Sequence, residues 1–212
     1  MKNATRLYVS TFGAIMALAG IEHGIGEMLQ GNVPPGGVMI QSWPESEFFL
    51  SLSGEPAMTV IPNLLTAGIL TVVVSLALLI WSILFVHIKH GGWVMILLSL
   101  VMLAVGGGIF PPLFGILIGA TAIRMRKRGS LSKNYVAEKS RRLLAKLWPW
   151  SYSICIVAWF ALLPGIPIIK YFYGVDNPAI TVVIMIIALG TLILNIFSSF
   201  AFDRQRQVRM IA

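Results

Sequence analysis

Apolar and polar stretches alternate along the chain and predict five membrane-seeking blocks: Leu7–Leu29, Leu64–Val86, Trp93–Ile123, Ser151–Ile169 and Ala179–Phe202. Four of them run 19–24 residues, which as helix matches a hydrocarbon core about 30 Å thick. The third is different. It is 31 uncharged residues long and is broken in the middle by Gly106-Gly107-Gly108 and Pro111-Pro112. Unbroken, it would run about 46 Å, and cut at the glycines it leaves two arms of about 16–20 Å. Neither arm spans comfortably, so the pattern predicts a broken helical hairpin over residues 93–123 that enters and returns to one face. Irregular backbone at that depth survives only when buried in protein or lining water. The predicted fold is an all-α integral membrane protein with four full transmembrane helices plus this hairpin, five to six membrane segments in all, forming one polytopic domain over residues 1–212.

Composition agrees with the pattern. Hydrophobic residues make up 57% of the 212 and charged residues 11%, against about 25% charged in ordinary soluble domains. The excess of basic residues, net +8, reads as the positive-inside bias rather than as affinity for nucleic acid. With the third block as a hairpin, 15 of the 16 basic residues fall on one face and only Lys170 on the other. Reading the block as a single span would strand Lys2, Arg6 and Lys89 with Lys170. The charge count therefore favours the hairpin, with both termini cytoplasmic in a prokaryotic-type inner membrane. Lys2, Arg6, the run Leu7–Ala19 and Ala17-Leu18-Ala19 imitate a cleavable leader. The helical pattern nevertheless continues to Leu29, which predicts retention as the first span. The single Cys155 excludes an intrachain disulfide.

Two polar segments stand out. Residues 30–57 form the long external loop. Within it Ser42-Trp43-Pro44-Glu45 has capping-box spacing, predicting a short helix from Trp43 to Leu52 that lays Phe48, Phe49 and Leu52 on the membrane surface. Residues 124–147 form a basic cytoplasmic loop. A helix there places Val136, Leu143, Leu144 and Leu147 on one stripe and Lys139, Arg142 and Lys146 largely off it. Arg124, Arg126, Lys127, Arg128, Arg141 and Arg142 are the residues expected to meet anionic lipid headgroups. Trp148, Trp150 and Tyr152 then mark the inner interface, and Tyr171 and Tyr173 the outer one.

Candidate chemistry concentrates at the end of the first block, in Gly20-Ile21-Glu22-His23-Gly24-Ile25-Gly26-Glu27-Met28-Leu29-Gln30. An ionisable side chain in a membrane helix costs about 2.5–3.5 kcal/mol on insertion scales, which makes function the default reading. His23, Glu27 and Gln30 share a helix face by their spacing. Gly20 and Gly24 have the small-xxx-small spacing that admits a neighbouring helix or a second copy. Counting rise per residue, Glu22, His23, Asn63, the tip Gly106, Gly107, Gly108 and the break at Pro164-Gly165 and Pro167 converge on the outer third of the membrane. Broken helices with polar groups at one depth are how transporters build sites. A purely structural alternative has Glu22 and His23 satisfying Asn63 or Thr66 on the next helix.

His87 and His90 lie in an inner loop and cannot share an ion with His23. Glu22, His23 and Glu27 alone are too few for a zinc site, and no nucleotide-binding or haem-attachment motif is present. No cofactor or resident metal is therefore expected. Three functions remain open. The leading one is passage of a small ion or solute through a site formed by Glu22, His23, Glu27, Gln30, Asn63 and Gly106–Gly108. The others are a non-catalytic membrane subunit or assembly factor, and a membrane enzyme using Glu22 or Glu27 as acid–base on a lipid-soluble substrate.

Overall fold

The computed structural model describes residues 3–46, 49, 53–126, 138–174 and 177–211. It is helical throughout except for one short ribbon. In chain order the elements are α1 (Ala4–Leu29), β1 (Met39–Gln41), β2 (Pro56–Met58), α2 (Leu64–Ile80), α3 (Gly91–Val105), α4 (Phe110–Arg126), α5 (Glu138–Phe160), α6 (Ile166–Tyr173) and α7 (Pro178–Ile211). A π turn, Trp81–Phe85, extends α2, and another, Ala161–Gly165, joins α5 to α6. Four helical stretches are long and apolar enough to cross a membrane: Ala4–Leu29, Leu64–Phe85, Glu138–Tyr173 and Pro178–Val208. They match the four full spans read from the sequence, and α3 and α4 match the two short arms.

The chain divides into two compact units. One comprises Val9–Ile123; the other joins the residues through Tyr8 to 124–212. In the first unit, α1 and α2 run antiparallel through glycine. A Cβ on Gly24 would meet the Gly68 carbonyl oxygen at 2.8 Å, and one on Gly68 would meet the Gly24 carbonyl oxygen at 2.5 Å. Backbones approach this closely only where both side chains are absent. Gly20 faces Ser75 and Met102 in the same way. The close approach that Gly20 and Gly24 permit is thus occupied inside the chain by α2. The arms α3 and α4 form an antiparallel hairpin: Gly92 abuts Gly119 and Ile123, and Gly115 abuts Ser99. Gly106 ends α3 with φ +131° and donates its N–H to the Met102 carbonyl. Pro111 and Pro112 fall in the first turn of α4, where a missing N–H is harmless.

The segment 30–57 departs from the expected surface helix. Trp43 to Glu45 form turns, not helix, and β1 pairs antiparallel with β2, Met39 opposite Met58 and Gln41 opposite Pro56. Phe48 and Leu52 lie outside the described residues. The ribbon is tied down at both ends: Gln30 Nε2 donates to the Gln41 and Ser42 carbonyls at 3.0 Å each, and Thr59 Oγ1 donates to the Val105 carbonyl at 3.1 Å. These bonds satisfy loop backbone that would otherwise be orphaned.

In the second unit, α5 and α7 pack antiparallel around a buried polar knot. Asn195 Nδ2 donates to the Ser151 carbonyl at 3.1 Å, and Ser151 Oγ donates to Asn195 Oδ1 at 3.0 Å. Such pairs hold helices together where apolar burial provides little contrast. Asp203 caps the start of α1, accepting from Ala4 N at 2.7 Å and Thr5 Oγ1 at 2.8 Å. The negative charge there suits the helix dipole. The amphipathic segment read between 124 and 146 is not a separate helix: α5 begins at Glu138 and runs on through Pro149. Leu143 and Leu147 are exposed while Ala145 is buried, and Val136 lies outside the described residues. At Pro164-Gly165 the regular α-helix gives way to the π turn, with Pro164 inside it; proline removes one N–H donor from the helical ladder.

Candidate functional site

Glu22, His23 and Glu27 project from the last two turns of α1, and the structure brings two further pieces of chain to them. His23 is buried. Its Nδ1 lies 2.9 Å from the Ala19 carbonyl oxygen and 3.0 Å from Glu22 Oε2. A carbonyl oxygen only accepts, so Nδ1 carries the hydrogen and, in the neutral ring, Nε2 carries the lone pair. That nitrogen faces Glu55 Oε2 at 3.4 Å. Glu22, His23 and Glu55 each offer one ligand atom, all within 4.8 Å of one another.

Glu55 comes from the ribbon and is the residue that sequence reasoning missed. It follows Ser53 and Gly54, and all three adopt left-handed backbone, with φ of +57°, +70° and +55°. Two side-chain-bearing residues in that region store strain of about 1–3 kcal/mol each, a pattern that clusters at functional sites. The turn delivers the Glu55 carboxylate to a histidine 32 positions earlier. Three acids, Glu45, Glu47 and Glu55, lie in the loop, and no local signal distinguishes the third from the others.

The second piece is the hairpin tip. A Cβ on Gly106 would overlap both carboxylate oxygens of Glu27, and a Cβ on Gly108 would lie 2.5 Å from His23 Nε2. Gly108 also has positive φ, +79°. Glycine is required at both positions twice over, by conformation and by contact. Glu27 is fully buried, and neither of its oxygens has a hydrogen-bond partner among the described residues; the same holds for Glu22 Oε1 and His23 Nε2. Among the described residues, the ion pairs these carboxylates make go to His23 alone. Three carboxyl groups thus gather near one imidazole in a largely buried place.

Other expected members stand apart. Gly107 packs on Met102. Gln30 anchors the ribbon rather than entering the site. Asn63 is the N-cap of α2, accepting from Thr66 N at 3.0 Å and donating to Asn32 Oδ1 at 2.5 Å. Glu22 and His23 therefore do not find their partners in Asn63 or Thr66. The Pro164-Gly165 turn belongs to the other unit. Of the residues expected at lipid headgroups, Arg124 is exposed, and Arg142 donates through Nε to Glu138 at 3.1 Å. The Arg126 side chain, Lys127 and Arg128 lie outside the described residues.

No family model, curated protein or solved structure matches this chain. Its chemistry must be read from the site itself.

Burial raises the Glu55 carboxyl from the ordinary 4.5 to about 7. His23 opposes that rise and the nearby Glu22 charge adds to it. The folded protein then keeps the Glu55 proton up to about pH 7, while the unfolded chain releases it near 4.5. Because the folded state binds more protons within that window, its stability falls as pH climbs from about 4.5 to 7, then levels. The difference amounts to about 3 kcal/mol. In detergent free of divalent cations, thermal unfolding followed from pH 4.5 to 8 should show this decline in the wild type and a flatter profile in Glu55→Gln. Equal slopes would remove Glu55 from its buried place.

Proposed function

We propose that this chain is an integral inner-membrane protein that passes a small cation through a site built by Glu22, His23 and Glu55. The observation that carries the reading is the buried excess of acid: three carboxyl groups near one imidazole, with four side-chain atoms lacking a hydrogen-bond partner among the described residues. Burying unpaired charge costs several kcal/mol per ion, and a bound cation removes that cost. Membrane insertion is supported by the four long apolar helices and by exposed apolar side chains on them, such as Val73, Ile80, Val157 and Ile186. The basic residues support cytoplasmic termini.

In this reading the α3–α4 hairpin is re-entrant. Its arms have 15 and 17 residues, about 22–26 Å as helix and short of a full crossing. Its glycine tip meets the acidic end of α1 from within, while the ribbon brings Glu55 from outside. A carboxylate on a loop, facing fixed groups on a helix, provides an entry ligand that can exchange with water. Glu22, whose side chain is 31% exposed, is the natural first contact.

Proteoliposomes containing the purified protein provide the test. Uptake is followed for protons, Na⁺, K⁺ and divalent cations under imposed gradients. The expected result is a flux of at least one of these that drops about tenfold or more in Glu22→Gln and Glu55→Gln, as removal of a functional intramembrane carboxylate should cause. Absence of any protein-dependent flux, or flux indifferent to both substitutions, would sink the passage reading.

A further inference from the structure

The donor set of this site is selective, and it selects by chemistry. Imidazole with carboxylates suits the first-row divalent metals; Mg²⁺ and Ca²⁺ prefer oxygen alone, and Cu⁺ prefers sulfur. His23 is prepared as a metal ligand usually is. Its Nδ1 hydrogen points to the Ala19 carbonyl, which fixes the tautomer and turns the Nε2 lone pair toward Glu55, the outer-shell arrangement typical of metal-binding histidines. Nε2 is buried, has no hydrogen-bond partner among the described residues, and faces Glu55.

The spacing fits as well. Nε2 and Glu55 Oε2 are 3.4 Å apart. Two atoms at that separation, each about 2.1 Å from a common ion, subtend roughly 108° at the ion, close to the tetrahedral angle. Glu22 offers an oxygen to the same cluster of ligand atoms, all within 4.8 Å of one another, and its Oε1 has no hydrogen-bond partner among the described residues. Three protein ligands leave a further position for water or for an incoming donor, as in sites where the ion must exchange. Glu27, next to Gly106 beneath the same hairpin tip, stands outside the cluster.

We propose that Glu22, His23 and Glu55 form a coordination site for a divalent transition-metal ion of the zinc class, with Glu55 as the ligand that the turn before β2 contributes. This rests on the passage reading only for the ion's onward movement; the site itself stands on geometry. The competing arrangement is an imidazolium held between Glu22 and Glu55 with no ion at all.

The experiment uses the full chain in detergent, stripped of metal by chelator. Zn²⁺ and Co²⁺ are titrated by equilibrium dialysis with elemental analysis, and Co²⁺ also by its visible absorption. Wild type should take up one ion per chain, with the intense visible bands of four-coordinate Co²⁺, and excess Mg²⁺ should not displace it. Glu55→Gln, a substitution in the ribbon that leaves every helix intact, should weaken binding about 100-fold, the upper end of the effects seen for partners of metal ligands. A second measurement needs no variant: Zn²⁺ should shift the ¹⁵N imidazole resonances of His23, while those of His87 and His90 stay in place. Binding no tighter than millimolar, binding unchanged in Glu55→Gln, or no shift of the His23 imidazole resonances each overturns the proposal. Proteoliposome flux separates the two readings. Flux of protons or monovalent cations without Zn²⁺ binding would end the metal assignment and leave passage standing. Zn²⁺ binding without flux would keep the site and end passage.

Discussion

Replacing Gly106 by alanine should destabilise the protein by about 2–5 kcal/mol, combining backbone strain of about 1–2 with overpacking of about 1–3. The added methyl would overlap both oxygens of Glu27 in a place where φ is +131°. Neither problem has an easy exit, because Glu27 is fully buried and the Gly106 N–H is committed to capping α3. The two contributions separate in a double-mutant cycle. In a Glu27→Ala background the collision disappears and only the strain remains, so Gly106→Ala should then cost about 1–2 kcal/mol. Thermal unfolding of the four proteins in one detergent measures this. Equal costs in both backgrounds would show that Glu27 does not lie against the hairpin tip. Gly108→Ala tests the neighbouring contact and should also abolish the Zn²⁺-induced shift of the His23 imidazole resonances, since its methyl would lie 2.5 Å from Nε2.

What the sequence reveals and what it hides divide along a physical line. Element lengths, the broken third block and the acidic end of α1 are local properties, carried by runs of apolar residues and by glycine and proline, and all were readable. The contact of Gly106 with Glu27 and of Gly108 with His23 is tertiary, and the structure supplies it. Glu55 was not readable. Its position depends on β1 pairing with β2 and on a left-handed turn at Ser53-Gly54-Glu55, and two three-residue strands leave almost no periodicity to detect. The same ribbon displaced the helix expected from Ser42-Trp43-Pro44-Glu45, because a capping pattern without tertiary support is a weak claim on the backbone. Asn63 was misjudged for another reason. Asn63-Leu64-Leu65-Thr66 has the form of an N-cap opening an apolar helix, and depth counting outweighed that plainer meaning. Polar residues at a helix end cap it unless something further draws them away.

The other large effect is expected at the crossing of α1 and α2. Gly68→Leu should cost at least about 3 kcal/mol, at or beyond the upper range for overpacking, because the first atom of the new side chain already meets backbone: the Gly24 carbonyl oxygen at 2.5 Å and Met28 N at 2.7 Å. Backbone cannot rotate aside as a side chain can, so the helices must separate. The consequence reaches the site, since Glu22, His23 and Glu27 flank Gly24 on the same turns of α1, while their partners Glu55 and Gly106 belong to other segments. Separation of α1 should therefore lower cation affinity along with stability. Two comparisons isolate the cause. Gly13→Ala meets only the Ser82 side chain and the flexible end of Met95 and should be milder. Gly190→Ala, in α7 with nothing within 4 Å of the new methyl, should be neutral or stabilising by up to about 1 kcal/mol, the ordinary gain of alanine over glycine within a helix. The ranking of Gly68, Gly13 and Gly190 in unfolding temperature, set beside Zn²⁺ affinity for the same three proteins, decides the matter. If Gly68→Leu unfolds at the wild-type temperature, the tight α1–α2 crossing is wrong. If it is destabilised but binds Zn²⁺ as tightly as wild type, the site does not depend on how α1 is seated.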